Sequence, residues 1–281
     1  MLLCDVWGVI HNGERAFPGP CAALAHWRAH RGPVILISNS PRPCDDVAAQ
    51  LDGLGAPREA WSAVVTSGDV TRDLLAERSP GPAWWIGPER DGSLFDGAGI
   101  TFAGPEDAAF IACTGLANDE TESPDDYRRP LAVAAGRGLE MICANPDKVV
   151  QRGDRLIWCA GALAELYQSL GGSAVMAGKP FAPIYRRAFE MTASILNRQF
   201  DPRRALVIGD GVATDIDGAN RQGLDVVFVS GGIHAGDFAP TAGQTLADLA
   251  QTFLDGSGAR ADFVMSELAW NGVARHGQRN H

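Results

Sequence analysis

The chain has 281 residues, is 46% hydrophobic and 21% charged, and carries a formal net charge of −10 with a sequence pI near 5.0. This composition is ordinary for a globular protein with a full core, and the length fits two domains or one large one. The acidic balance argues against nucleic acid or an anionic membrane as the main partner, since both call for a basic surface. No apolar stretch approaches the ~20 residues of a membrane span, and no signal-peptide pattern precedes the first strand, so we expect a cytoplasmic protein.

The first predicted element is a strand from Leu2 to Trp7, an apolar run that carries one carboxylate, Asp5. Continuous apolar runs of this length are typical of strands buried on both faces of a parallel sheet. A buried carboxylate is costly unless it is paired, and the carboxyl ends of strands line the ligand crevice of open α/β sheets. Asp5 is therefore either a strand-end carboxylate held by backbone N–H groups or a functional residue.

The first part of the chain then alternates helices and buried strands. The predicted elements are a turn at His11–Gly13, a helix opened by Pro18–Pro20, a strand at Pro33–Ile37, a helix capped by Ser40 with Pro41 at its first position, a strand at Ala63–Thr66, and a helix capped by Ser67 or Asp69. From about Pro80 shorter strands predominate, at 84–86, 109–113, 139–144 and 156–159, with helices at 127–135 and 162–170. We interpret residues 81–176 as an inserted α/β module between two halves of a core domain, 1–80 and 177–281.

After this insert the pattern of the first part returns. A helix is predicted from Pro183 to Leu196, a strand from Arg204 to Asp210 and a strand from Asp225 to Ser230, with little order after Gly277. Strands that alternate with helices indicate a doubly wound parallel sheet with right-handed crossovers. The predicted fold class is therefore α/β, a Rossmann-like core with an inserted α/β domain.

Such a sheet would collect several polar residues at its carboxyl edge. These are Asp5 and Ser38 at two strand ends, Lys179 before the last crossover helix, and Asp210 and Asp215 around the loop Gly209–Asp215. Each has an ordinary structural explanation as well. Ser38 could simply lead into a helix, and Asp210 and Asp215 could be a strand-end carboxylate and a helix N-terminal charge. Asp217 could also take the place of Asp215.

Taken in this order, with an insert between the serine and the lysine, these motifs resemble the haloacid dehalogenase-like hydrolase superfamily, and the insert resembles its class IIA branch of sugar- and nucleotide-phosphatase-like proteins. The resemblance implies a Rossmann-like core and a cap, and a phosphatase that forms an aspartyl-phosphate on Asp5. It implies Mg²⁺ held by the carboxylates of Asp5 and Asp210, the backbone carbonyl of Trp7, and Asp215. It further implies a phosphate site at Ser38 and the N–H groups that follow, Asn39 included, with Lys179 pairing both the phosphate and Asp5. The cap loop with Asn145 resembles segments that lie near the substrate.

One position departs from that family pattern. Phosphatases of the superfamily carry a second Asp two residues after the nucleophile, as the acid and base for the leaving group and the water, and here that residue is Trp7. Its carbonyl could still serve the metal, and His11 in the turn could donate a proton, although turn histidines are more often solvated. The expected function is a Mg²⁺-dependent phosphatase of a small phosphorylated metabolite, with a homodimer formed through the cap. The alternatives are a hydrolase of carbon–halogen or carbon–phosphorus bonds, and a phosphate-binding protein that has lost turnover. Dehalogenases of this superfamily dispense with the metal site.

Overall fold

A computed structural model of the chain describes residues 1–152, 155–238 and 244–270. The strands are β1 Leu2–Asp5, β2 Val34–Ser38, β3 Ala63–Thr66, β4 Ala83–Ile86, β5 Phe110–Cys113, β6 Glu140–Cys143, β7 Val149–Arg152, β8 Arg155–Trp158, β9 Ser173–Met176, β10 Leu206–Gly209, β11 Asp225–Val229 and β12 Phe263–Met265. The α-helices are α1 Pro18–His30, α2 Cys44–Gly53, α3 Ser67–Ala76, α4 Arg128–Gly136, α5 Ala160–Ser169, α6 Ala182–Leu196, α7 Asp217–Gln222 and α8 Leu246–Asp255. The predicted loss of order after Gly277 lies outside the described residues.

The larger sheet is parallel and has the strand order β12-β11-β10-β1-β2-β3. Successive residues of a strand point to opposite faces, so β1 supplies two cores. Leu2 and Cys4 pack with Leu24 of α1 on one face, while Leu3 packs with Ile184 of α6 on the other. Helices therefore cover both faces of the sheet, as predicted for a doubly wound fold.

The smaller sheet, β4-β5-β6-β9, is also parallel and is built from strands within residues 83–176. One face packs on α4 and α5 through Leu131 and Leu163. The other face packs toward α3 of the core, where Phe110 and Ile142 share a cluster with Leu75. A hairpin of β7 and β8 completes this inserted cap. The proposed domain boundaries at residues 80 and 177 stay a prediction.

Two predicted helix starts are wrong. Helix α2 begins at Cys44 rather than at Pro41, because Arg42 precedes Pro43 and a residue before proline is kept out of the helical conformation. Helix α3 is capped by Thr66, whose side chain and that of Asp69 form a reciprocal capping box, rather than by Ser67.

Three short strands, β7, β9 and β12, were not predicted. The edge strand β12 has three residues and β9 has four, which is too short for a clear pattern of alternation. Within the described residues, no helix combines the length and the apolar character needed to cross a membrane.

Candidate active site

Three adjacent strands place the predicted polar residues at one edge of the larger sheet. β1 lies between β2 and β10, so Asp5 lies between Ser38 and Asp210 at the carboxyl edge. Asp215 joins them from the helical turn Val212–Ile216 that follows β10. Asp5, Asp210 and Asp215 are buried, and each offers a carboxylate oxygen within 4.8 Å of those of the other two.

Lys179 enters this cluster from the segment between β9 and α6. The residue is 2% exposed, and its ammonium donates to Asp5 and, over 2.8 Å, to Oδ1 of Asp215. Burial alone would lower the pKa of Lys179, but the carboxylates of Asp215 and Asp5 raise it well above its usual range. The lysine is therefore a permanent cation between two of the three carboxylates.

Glycines make room for these carboxylates. Gly8 has a φ of +82°, and a Cβ there would lie 2.0 Å from Oδ2 of Asp210. A Cβ on Gly209 would lie 2.1 Å from Cγ of Asp215. Backbone N–H groups complete the fixation, since Ile233 donates to Asp210 over 2.7 Å and Gly211 donates to Asp215 over 3.1 Å.

The cluster has more negative charge than its protein partners neutralise. Burial raises the pKa of Asp5, raises that of Asp215 to about 6, and together with the other two carboxylates raises the pKa of Asp210 well above its usual range. Three carboxylates face one ammonium, so a divalent cation would supply the missing positive charge. Hard carboxylate oxygens are the ligands that magnesium and calcium prefer. The residues present therefore fit a divalent metal ion.

The predicted phosphate-binding residues lie close by but are used in different ways. Ser38, at the end of β2, accepts a hydrogen bond from the N–H of Ser40 over 3.2 Å. Asn39 is 5% exposed, and its side chain is hydrogen-bonded to the main chain of Lys179 and to Asp147 of the cap. Asn145 is buried and accepts from the N–H of Asp147 over 3.0 Å. Their roles toward a phosphate stay predictions.

Trp7 and His11 pack together beside the site. Their ring centroids are 4.9 Å apart, and a Cβ on Gly13 would lie 2.7 Å from Cη2 of the indole, so the Trp7 ring covers the turn. His11 is buried rather than solvated, its Nδ1 accepts from the N–H of Gly13 over 2.9 Å, and burial lowers its pKa to about 4. His11 is therefore neutral near pH 7, which argues against it as a substitute acid.

The structure also separates Asp215 from its neighbour Asp217. Asp217 forms a 2.7 Å ion pair with Arg221 on α7, one turn further along the helix, whereas Asp215 belongs to the carboxylate cluster. Asp147 is a site residue that the sequence-based prediction missed. The available signal was its place two residues after Asn145, in a cap loop already singled out.

Fold and site together define a hydrolase of the haloacid dehalogenase-like type. A family model described as haloacid dehalogenase-like hydrolase matches residues 2–101, and an HAD-hydrolase-like model matches residues 176–255. A crystal structure of a haloacid dehalogenase-like hydrolase from Brucella suis 1330 is 47% identical, covers 95% of each chain and superimposes with a TM-score of 0.83. The chain belongs to the haloacid dehalogenase-like hydrolase family.

The chain is also similar to glycerol phosphate phosphatases from Mycobacterium tuberculosis. D-glycerol 3-phosphate phosphatase from Mycobacterium tuberculosis is 29% identical over 250 residues, which span 83% of this chain and 64% of that protein. A structure of a glycerol phosphate phosphatase from the same organism in complex with magnesium is 27% identical, covers 83% of this chain and 68% of that one, and has a TM-score of 0.63. The chain thus spans about two thirds of the length of these relatives.

Proposed function

We propose that the chain is a magnesium-dependent phosphatase that acts on a small phosphorylated metabolite, of the sugar phosphate or nucleotide class. The observation that carries this proposal is the Asp5 carboxylate, buried at the end of the central strand and ion-paired with Lys179. The phosphatases among its relatives support the same reaction, although both of those cited extend well beyond this chain.

Asp5 is the proposed nucleophile. One of its carboxylate oxygens forms a bond to phosphorus while the bond from phosphorus to the leaving oxygen breaks, and the electron pair stays on that oxygen. Water then attacks the phosphorus of the aspartyl-phosphate, which releases inorganic phosphate and restores the Asp5 carboxylate. Splitting hydrolysis in this way replaces one difficult step by two easier ones.

The proposed phosphate site consists of Lys179, Ser38 and the backbone N–H groups that follow Ser38, including that of Asn39. The Lys179 ammonium already contacts Asp5, so it can offset the charge of a phosphate that approaches the same carboxylate. Asn145, buried in the cap loop, is proposed to contact the substrate from the other side.

Magnesium would be held by the carboxylates of Asp5 and Asp210, by Asp215 and by the backbone carbonyl of Trp7. When bound, the ion supplies positive charge to the transferred phosphoryl group. The three carboxylates that lie within reach of one another, and the relative in complex with magnesium, support this assignment.

Trp7 is the observation that favours a second candidate, a phosphate-binding protein that has lost turnover. A tryptophan at position 7 would also be compatible with a hydrolase of carbon–halogen or carbon–phosphorus bonds. The carboxylate cluster argues against the dehalogenase alternative, since those enzymes dispense with the metal site that the cluster would form.

The test is turnover of p-nitrophenyl phosphate with and without added magnesium, followed by sugar phosphates, nucleoside monophosphates, glycerol phosphate and halogenated acids. We expect magnesium-dependent phosphate release that Asp5→Asn abolishes. Asp217→Asn removes a neighbouring carboxylate outside the cluster and should leave the activity unchanged. Turnover of the halogenated acids alone, or of nothing, would refute the phosphatase proposal.

The proposal extends to the oligomeric state and location of the protein. A homodimer formed through the cap is supported by Leu156 and Trp158 of β8, which are 67% and 43% exposed. A cytoplasmic location is supported by the unbridged thiols of Cys4, Cys113 and Cys143. No nucleic acid or membrane partner is proposed, given the net charge of −10.

A further inference from the structure

The side chain of Asn39 connects the cap to the backbone of Lys179. Its Oδ1 accepts from the N–H of Lys179 over 2.7 Å, and its Nδ2 donates to the C=O of the same residue over 3.1 Å. The same Nδ2 donates to Oδ1 of Asp147 over 2.9 Å. Both N–H bonds of the amide and its oxygen are thus engaged. We call these three contacts the Asn39 bridge.

The cap end of the Asn39 bridge is held firmly. The N–H of Asp147 donates to Oδ1 of Asn145, and its C=O accepts from the N–H of Gly161, at the start of α5, over 3.1 Å. A Cβ on Gly161 would lie 2.1 Å from the C=O of Pro146, so the loop lies directly against this helix. A displacement of Asp147 therefore also moves the cap loop, because its backbone is bonded to that loop and to the start of α5.

The core end of the Asn39 bridge is also tightly packed. A Cβ on Gly178 would lie 2.3 Å from Oδ1 of Asn39 and 2.9 Å from Cδ of Pro146. The residue before Lys179 thus touches both the core amide and the cap loop. Since the Lys179 ammonium lies between Asp5 and Asp215, a shift of its backbone would move the cation at the nucleophile.

We propose that Asn39 is a positioning residue that couples seating of the cap on the core to the placement of Lys179 beside Asp5. This inference rests on the proposed phosphatase function, and it leaves the backbone N–H of Asn39 as a proposed phosphate donor. When the cap lifts, Asp147 leaves Asn39 and one of the contacts that hold the amide in place is lost. When the cap is seated, the amide clamps the lysine backbone in the position in which the ion pair with Asp5 forms.

The two ends of the bridge predict different kinetic effects on p-nitrophenyl phosphate. Asp147→Ala breaks the contact between the cap and the amide, so KM should rise about tenfold, and kcat should fall about threefold because the amide then holds the lysine backbone less firmly. Asn39→Ala also frees the lysine backbone, so kcat should fall about 10–100-fold. The double variant should be no worse than Asn39→Ala, because both substitutions break the same contact.

Two further variants separate coupling from simple loss of structure. Asp147→Asn keeps an acceptor oxygen for Asn39 and should stay near wild type in KM. Asn39→Asp keeps the acceptor for Lys179 N–H but faces Asp147 with a second carboxylate, and adding Asp147→Asn to it should recover much of the lost activity. Ser93→Ala is the matched control, because Ser93 donates a different cap-to-core hydrogen bond to Asp46, over 2.7 Å, in which no proposed site residue takes part.

Hydrogen–deuterium exchange tests the bridge without relying on turnover. Asn39→Ala should speed exchange both at the Lys179 amide and in residues 145–148. Asp147→Ala should speed exchange mainly in residues 145–148. Unchanged exchange in both variants, or single-variant effects on KM that multiply in the double variant, would overturn the coupling. If wild type turned over no phosphate while the exchange pattern held, the proposed function would fail and the bridge would stand.

Discussion

The absence of a carboxylic acid at position 7 leads to a prediction about the leaving group. Without a side-chain acid beside Asp5, the departing oxygen must leave as an anion or take its proton from water. We predict that 4-nitrophenyl phosphate is hydrolysed about 10²–10⁴-fold faster than an alkyl ester such as glycerol phosphate, which corresponds to about 3–5 kcal/mol of barrier. Steady-state kinetics with a series of aryl and alkyl phosphates at saturating magnesium would measure this dependence.

The structure explains why His11 does not supply the proton that alkyl leaving groups need. With a pKa of about 4, only about one molecule in a thousand carries the imidazolium form at pH 7, so recruiting it as an acid costs about 4 kcal/mol. This is as large as the contribution of the acid it would replace. His11→Gln should therefore leave the ratio of aryl to alkyl rates within about threefold of wild type.

Trp7→Asp restores an acid at the family's usual position and should raise the alkyl rate relative to the aryl rate. Trp7→Asn is the matched control, since it has the same size and cannot donate an acidic proton. Both variants lose the indole that packs over Gly13, so their thermal midpoints should fall together. The reasoning is refuted if wild type hydrolyses alkyl and aryl phosphates equally fast and Trp7→Asp changes neither. The partly buried carboxyl of Asp147, whose pKa burial raises, would then be the next group to replace.

Three further predictions concern the carboxylate cluster and its surroundings. Asp210→Asn should raise the thermal midpoint of the metal-free protein at pH 7 by a few degrees, because burial of the unneutralised carboxylate raises its pKa and destabilises the fold, and it should abolish magnesium-dependent turnover. Gly8→Ala should lose most activity, whereas Gly55→Ala, with a similar φ of +81° but nothing within 4 Å, should cost only the ~1–2 kcal/mol of backbone strain in a denaturation curve. Between pH 7 and pH 4, wild type should lose about 3 kcal/mol more unfolding free energy than His11→Gln, because the unfolded histidine takes up its proton near 6.5 and the buried one only near 4. Equal losses in urea titrations of the two proteins would contradict the burial of a neutral His11.

The placement of Asp5 and Asp210 could be predicted because it follows from sheet geometry alone. Both end apolar runs, and parallel strands bring all their carboxyl ends to one edge, whatever the details of the loops. The sequence also predicted an insert with its own sheet, because short strands alternate with helices there. These features depend on local patterns and on one rule of chain connection.

Features that depend on how side chains pack in three dimensions could not be predicted from a single sequence. His11 was expected to be solvated as a turn residue, yet it is buried and the ring of Trp7 packs against it. Asp147 was not singled out, because its partner Asn39 lies 108 residues away and the two meet only where the cap packs on the core. No local sequence pattern predicts a contact between residues so far apart in the chain.

The chemistry of the Asn39 bridge restricts which side chain can occupy position 39. The residue must accept from the Lys179 N–H and donate to both the Lys179 C=O and the Asp147 carboxylate. A lysine cannot accept, an aspartate cannot donate when ionised, and a serine has one donor proton and a shorter reach. A charged residue would also alter a site where three carboxylates already face one ammonium. A neutral amide meets all of these demands, so the link between the cap and the lysine is set by hydrogen-bond geometry without adding charge beside the nucleophile.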